Sequence, residues 1–238
     1  MLNDQPSKDD PLGRRPFAEA IARIIATQTD PAPQVIAIDG AWGEGKTTVF
    51  RFLEDSLKKH DLRVMNFNPW LHDDEETMIR VFALEFGRTL GVKLLNKREQ
   101  LVESAQDRAE WFKEAASAIG AEKVGGLLNF GAKRLRITVA ELMERVRSEL
   151  NQQPRRFTIL VDDSDRLELG QLMNLFRLIK LIADFEKLTF VLAMDCEAVS
   201  RTVGKRFEAD GEGRRFLEKI IQVPVRLPMI RPQKCRQV

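Results

Sequence analysis

The sequence predicts an α/β fold, with a mainly parallel five-stranded sheet buried between layers of helices. Three observations predict it. Short apolar runs rich in β-branched residues alternate with helical stretches along the chain, the pattern of successive βαβ units. A glycine-rich segment, Gly40 to Gly45, joins the first run directly to a helix. Another run, Phe157 to Val161, ends in Asp162-Asp163. A carboxylate at the C-terminal edge of a parallel strand lies on the ligand side of such a sheet.

The elements follow in order. Phe17 to Thr27 carries apolar residues at helical spacing (Phe17, Ala20, Ile21, Ile24, Ile25), and Asp30-Pro31-Ala32-Pro33 stops it. Val35 to Ile38 is too short for a helix and reads as a buried strand. Thr47 to His60 is a helix with Val49, Phe50, Phe52, Leu53 and Leu57 inward. Arg63 to Phe67 is the second strand, followed by Asn68-Pro69-Trp70, and Glu75 to Leu90 is a long helix with Met78, Ile79, Phe82, Leu84 and Phe86 as candidate core. Residues 91–137 are the least regular part, holding a polar helical stretch (Arg98 to Ala118) and a small-residue patch (Gly120 to Gly131). Val139 to Leu150 resumes an amphipathic helix. Phe157 to Val161 is the third strand, Leu169 to Phe185 a helix, Leu188 to Ala193 the fourth strand and Asp195 to Val203 a short helix. Ile220 to Leu227 is the fifth strand, interrupted by Pro224.

Composition bounds the function. Of 238 residues, 43% are hydrophobic and 31% charged, enough apolar surface for a sizeable core and incompatible with whole-chain disorder. A net charge of +2 gives no global reason to expect nucleic acid. Charge is nevertheless uneven: Asp61 to Gly87 holds 2 basic and 6 acidic residues, and Val199 to Val238 holds 10 basic and 4 acidic. Cys196 and Cys235 cannot build a disulfide framework and lack the neighbours of a zinc site, so a reducing, cytoplasmic setting is expected. The polar N-terminus does not read as a signal peptide, and no apolar run is long enough to span a membrane.

Gly40-Ala41-Trp42-Gly43-Glu44-Gly45-Lys46-Thr47 fits G-x-x-x-x-G-K-[ST] at every fixed position, between a predicted strand and a predicted helix. Glycines let backbone N–H groups approach phosphate without a Cβ in the way, and the following helix offers its positive end. Gly40 through Thr48 are therefore candidate nucleotide-binding residues. Lys46 is expected on the β- and γ-phosphates and Thr47 on Mg²⁺. A second Mg²⁺ contact needs an acid at a neighbouring strand end. Asp162 supplies it, Asp163 is the candidate to orient or deprotonate the attacking water, and Asp165 is the alternative. The same Asp-Asp-Ser-Asp string also suits a strand-to-helix turn.

Four segments in order resemble the KAP family of P-loop NTPases. They are Ile38-Asp39-Gly40-Ala41-Trp42-Gly43-Glu44-Gly45-Lys46-Thr47-Thr48, Phe67-Asn68-Pro69-Trp70, Val161-Asp162-Asp163-Ser164-Asp165-Arg166-Leu167, and Phe216-Leu217-Glu218-Lys219-Ile220-Ile221-Gln222-Val223-Pro224. The resemblance implies a three-layer α/β/α P-loop domain over residues 14–228, between a disordered lead-in (1–13) and a tail (229–238). It implies that the strand bearing Asp162 is not adjacent to the strand bearing the loop. It also implies ATP with Mg²⁺, hydrolysis coupled to switching or assembly with another copy or a protein partner, and a link to phage exclusion or membrane signalling. Arg166, or Arg214 and Arg215, would then sense the γ-phosphate; surface ion pairing is the other reading of Arg214 and Arg215. Many family members carry membrane spans where this chain has 91–137; here that segment is charged and reads as a soluble helical insertion, with a membrane-surface hairpin as the alternative. Family members usually continue well past the last strand, whereas this sequence stops at Val238, so it reads as a fragment, a truncated reading frame or a minimal member, with a lid or sensor module of the family absent from it. A nucleotide-gated scaffold with negligible turnover is the rival reading.

No GTPase base-reading motif follows the fourth strand, which favours ATP, and no acceptor pocket argues for a small-molecule kinase. His60 and His72 have no Ser or Cys partner at readable spacing. Trp70 and Phe67 are expected to anchor the second strand, and Asp195 is read as a helix N-cap or a polar sensor.

Overall fold

The computed structural model describes residues 10, 12–72, 74–97, 99–100, 137–207 and 211–228. The expectations for most of residues 1–13, for 101–136 within the insertion and for the 229–238 tail lie outside them. In chain order the elements are α1 (Arg15–Thr27), β1 (Gln34–Asp39), α2 (Lys46–Lys59), β2 (Arg63–Phe67), α3 (Glu75–Leu90), α4 (Val139–Asn151), β3 (Phe157–Val161), α5 (Leu169–Leu181), β4 (Leu188–Met194), α6 (Cys196–Gly204), α7 (Glu212–Glu218) and β5 (Val223–Arg226). Short 3₁₀ turns occupy Pro69–Leu71 and Ser164–Arg166.

The five strands form one sheet in the order β2-β3-β4-β1-β5, with every pairing parallel. β4 thus separates the loop-bearing strand β1 from the acid-bearing strand β3, as the resemblance implied. β3 and β4 are buried along their whole length, because helices cover both faces. On one face, Ile36, Ile38, Leu160, Val191 and Ala193 pack against α1 and α2. On the other, Ala37, Phe67, Ile159, Phe190 and Leu192 pack against α3 to α7. Phe82 of α3 meets Phe67 edge-on at 5.5 Å between ring centroids, fixing that helix over β2 and β3.

Helix starts follow side-chain chemistry. Asp74 accepts from the Thr77 N–H at 2.9 Å at the head of α3, and Thr138 with Glu141 forms a reciprocal capping box on α4. Asp195 accepts from the Ala198 N–H at 2.9 Å, so it caps α6. β5 begins at Val223, three residues later than the sequence predicts; Ile220 and Ile221 instead complete the turn that closes α7. Pro224 sits in β5 opposite Ala37, which costs nothing in the ladder on that outer side because β5 is an edge strand. Trp70 departs from expectation. The Asn68 carboxamide accepts from the Trp70 N–H, the 3₁₀ turn buries Pro69, and Trp70 is turned outward and exposed.

Candidate functional site

β1 ends at Asp39, and the chain loops over the sheet edge into α2. Gly43 and Gly45 adopt φ of 81° and 86°, which a side chain would strain, and this bends the loop around its own backbone N–H groups. At Gly40 a Cβ would lie 2.6 Å from Leu227 Cδ1 and 3.0 Å from a Glu44 carboxylate oxygen, so a larger residue there must shift those side chains. The Ala41 N–H donates to a Glu44 carboxylate oxygen at 2.9 Å. Trp42 is 64% exposed rather than packed on the sheet. Thr47 and Thr48 open α2, where unpaired N–H groups and the helix dipole favour an anion.

Lys46 is only 8% exposed, unusual for a lysine. Its ammonium donates to Gly40 O at 2.9 Å and Ala41 O at 3.3 Å and pairs with Asp165 Oδ2 at 2.9 Å. The loop and the turn after β3 are thus joined across β4 through one side chain.

The three carboxylates of Asp162-Asp163-Ser164-Asp165 take three different partners. Asp162 accepts from the Asp163 N–H at 2.9 Å and lines a cleft of about 330 Å³ with Thr47, Arg51, Asn66, Asn68 and Asp163. Asp163 takes φ 54°, which turns its side chain to Arg166 Nε at 2.9 Å. Burial pushes the Asp163 carboxyl above its ordinary value, helped by the charge of Asp162 and opposed by Arg166. Asp165 turns back under the loop to Lys46. Arg166 also lies over the Trp42 ring, 4.3 Å from its centroid, so the guanidinium links the phosphate loop to Asp163.

Thr47, Asp162 and Asp163 present oxygen donors to one cleft, the ligand chemistry Mg²⁺ takes. Among the described residues no three His, Cys, Asp or Glu side chains converge to hold a metal by themselves, so a Mg²⁺ here would share phosphate oxygens.

Other predicted residues fall elsewhere. Arg214 and Arg215 of α7 are exposed and paired with Glu218 and Glu212. His72 stacks on Phe67, and His60 ends α2. One residue that sequence reasoning missed is Arg14, 2% exposed, which donates to Glu44 O at 2.8 Å and to Pro228 O. It pins the loop to the segment leaving β5. Asp10 holds Arg14 in turn by accepting its N–H. Asp39 was also missed as a tie: its carboxylate accepts from the Cys196 N–H at 2.9 Å, fastening the end of β1 to α6.

Residues 14–238 match the model of the KAP family P-loop domain. The chain is 29% identical to the phage T7 exclusion protein of Escherichia coli strain K12 over 248 aligned positions, covering 92% of this chain and 33% of that protein. It therefore spans about a third of that relative's length. Among solved structures, Cdc6p from Pyrobaculum aerophilum matches with a TM-score of 0.51 at 13% identity, over 93% of this chain and 47% of that one. The Aeropyrum pernix ORC2 protein, solved in ADPNP and ADP complexes, matches with a TM-score of 0.49 at 16% identity, over 96% and 50%. The Cdc6p likeness concerns the fold alone. Among the described residues no helix is long and apolar enough to cross a membrane.

Proposed function

The chain belongs to the KAP family of P-loop domains, and on that premise we propose that it is a Mg²⁺-dependent ATPase domain. Family membership supports nucleotide binding. The observation that carries the hydrolytic reading is the buried Lys46, held against the acid turn of β3 by its 2.9 Å pair with Asp165. That contact brings phosphate-binding and acid groups to one point.

In this reading the N–H groups of Gly40 through Thr48 receive the phosphates, and Lys46 neutralises charge on the β- and γ-oxygens. Thr47 Oγ1 and Asp162, which line one cleft, would hold Mg²⁺, and the ion would supply charge neutralisation at the phosphates. Asp163 takes a proton from the attacking water, whose oxygen bonds to the γ-phosphorus as the bond to the β–γ bridging oxygen breaks and ADP leaves with the electron pair. A carboxyl raised by burial and by Asp162 is a stronger base than a free aspartate. Arg166, already beside Asp163, spreads charge on the γ-phosphoryl oxygens as it transfers.

The cycle would drive switching or assembly with another copy or a protein partner. Charge along the sequence supports this: the locally acidic stretch 61–87 contains β2, at one edge of the sheet, and the locally basic stretch 199–238 contains β5, at the other. The likeness to a relative named as a phage exclusion protein supports a role in phage defence. Steady-state phosphate release with Mg-ATP tests the reading. Wild type should turn over, and Asp163→Asn should lose at least a hundredfold in rate while still binding ATP. The rival, a nucleotide-gated scaffold, is favoured by the engagement of Asp163 with Arg166, which ties up the candidate base. It predicts ATP binding with no measurable phosphate release by wild type.

A further inference from the structure

The Lys46 ammonium has three N–H donors, and all three are spent inside the protein: on Gly40 O, Ala41 O and Asp165 Oδ2. A phosphate oxygen that reaches Lys46 must displace one of them. Two are loop carbonyls, fixed by the glycine backbone. The third, Asp165, is the one anion of the set and hangs from a three-residue turn. Its side chain is 6% exposed and its second oxygen, Oδ1, has no hydrogen-bond partner. A buried carboxylate held by a single ion pair is costly to keep charged without that pair. Asp165 is also not among the residues lining the Thr47–Asp162 cleft, so it sits with the lysine rather than on the Mg²⁺ side.

We propose that Asp165 is a positioning residue that competes with the nucleotide's terminal phosphates for Lys46, and so sets the affinity of the loop for nucleotide. The proposal rests on the nucleotide-binding reading above. Asp165 holds the ammonium in the loop in register for phosphate, and it opposes binding twice: its pair must break, and its charge then faces the phosphate. Arg166, the next residue in the same turn, is the one that lies over Trp42 and pairs with Asp163. Lys46 occupancy is thereby linked through one short turn to the candidate base, Asp163.

The test is calorimetric binding of ADP and ATP to the full chain, once in EDTA and once with Mg²⁺, for wild type, Asp165→Asn, Asp165→Ser and Lys46→Ala. Thermal melting of each variant checks that it folds, and the serine variant serves if the asparagine variant does not. Asp165→Asn should bind both nucleotides about tenfold tighter than wild type in EDTA, the worth of one charge-assisted hydrogen bond. Unchanged or weaker binding in EDTA overturns the proposal. Weakening confined to the Mg²⁺ arm also overturns it and makes Asp165 a metal contact instead. Failure of the nucleotide reading looks different: no protein binds nucleotide, or Lys46→Ala binds as wild type does.

Discussion

Replacing Arg14 by alanine removes the guanidinium that joins the phosphate loop to the end of the sheet. In the fold it is 2% exposed and donates to Glu44 O at 2.8 Å and to Pro228 O. Each hydrogen bond from a charged donor is worth about 1.5–3 kcal/mol, and the truncation leaves two carbonyls short of a partner and a gap beside Gly45. Relief of the buried cation's desolvation offsets part of that. The net loss is about 3 kcal/mol, which for a domain of this size lowers Tm by roughly 6–12 °C. Arg14→Lys keeps the charge without the fork and should recover less than half. The assay is thermal and urea unfolding of wild type and both variants, with nucleotide affinity measured beside it. The alanine variant should also bind nucleotide more weakly, because Glu44 lies within the loop. A Tm within 1 °C of wild type together with unchanged affinity would refute the clamp.

Three further expectations follow from separate parts of the molecule. Gly213→Ala would put a Cβ 1.9 Å from Ser200 O and 2.8 Å from Gly204 N, both backbone atoms; α6 and α7 must part, at a cost of about 3 kcal/mol, and urea unfolding within 0.5 kcal/mol of wild type would contradict the close crossing. The folded Asp163 carboxyl titrates above its unfolded value, so its contribution to stability is present at low pH and is lost as pH rises through the folded value. Asp163→Asn should therefore be no less stable than wild type at neutral pH, the difference narrowing as pH falls through the raised folded value and closing by the ordinary aspartate value, and the acid limb of wild-type phosphate release should lie above the range of a free aspartate. Burial, together with Asp39, pushes the Cys196 thiol up to about 12, which leaves about a thousandfold less thiolate than in the unfolded chain near pH 8. Alkylation of Cys196 in a Cys235→Ser background should be slow when folded and fast in urea; equal rates would show that the thiol is open.

Much of this fold is legible in the sequence because its signals are local. β1, β3 and β4 are short continuous apolar runs, buried on both faces, and their bounds fall within a residue or so of where the runs begin and end. α3 is bounded by its own Asp74 cap and by Gly91 in the left-handed region, so both ends could be read directly. Non-local features could not. Arg14 stands in a polar, charged lead-in that reads as solvated; its burial depends on Glu44 and Pro228, the latter more than two hundred residues away. Trp70 carries a large apolar side chain that predicts burial, but Pro69 and the Asn68 cap set a turn that points it outward. The D-D-S-D string is visible as an acidic cluster, and its division among the Thr47 cleft, Arg166 and Lys46 is not. That division depends on the positive φ of Asp163 and on β4 lying between the two motif strands. α7 was missed because seven residues with two adjacent arginines give a weak helical period.

The most direct measurement is the thermal stabilisation of wild type and Lys46→Ala by Mg-ATP across a concentration series. A ligand that binds only the folded chain raises Tm by an amount that grows with its concentration. Wild type should rise by several degrees at saturating nucleotide, and Lys46→Ala, though folded, should not. No rise for folded wild type, or an equal rise for both proteins, would contradict a nucleotide site built on Gly40 to Thr48.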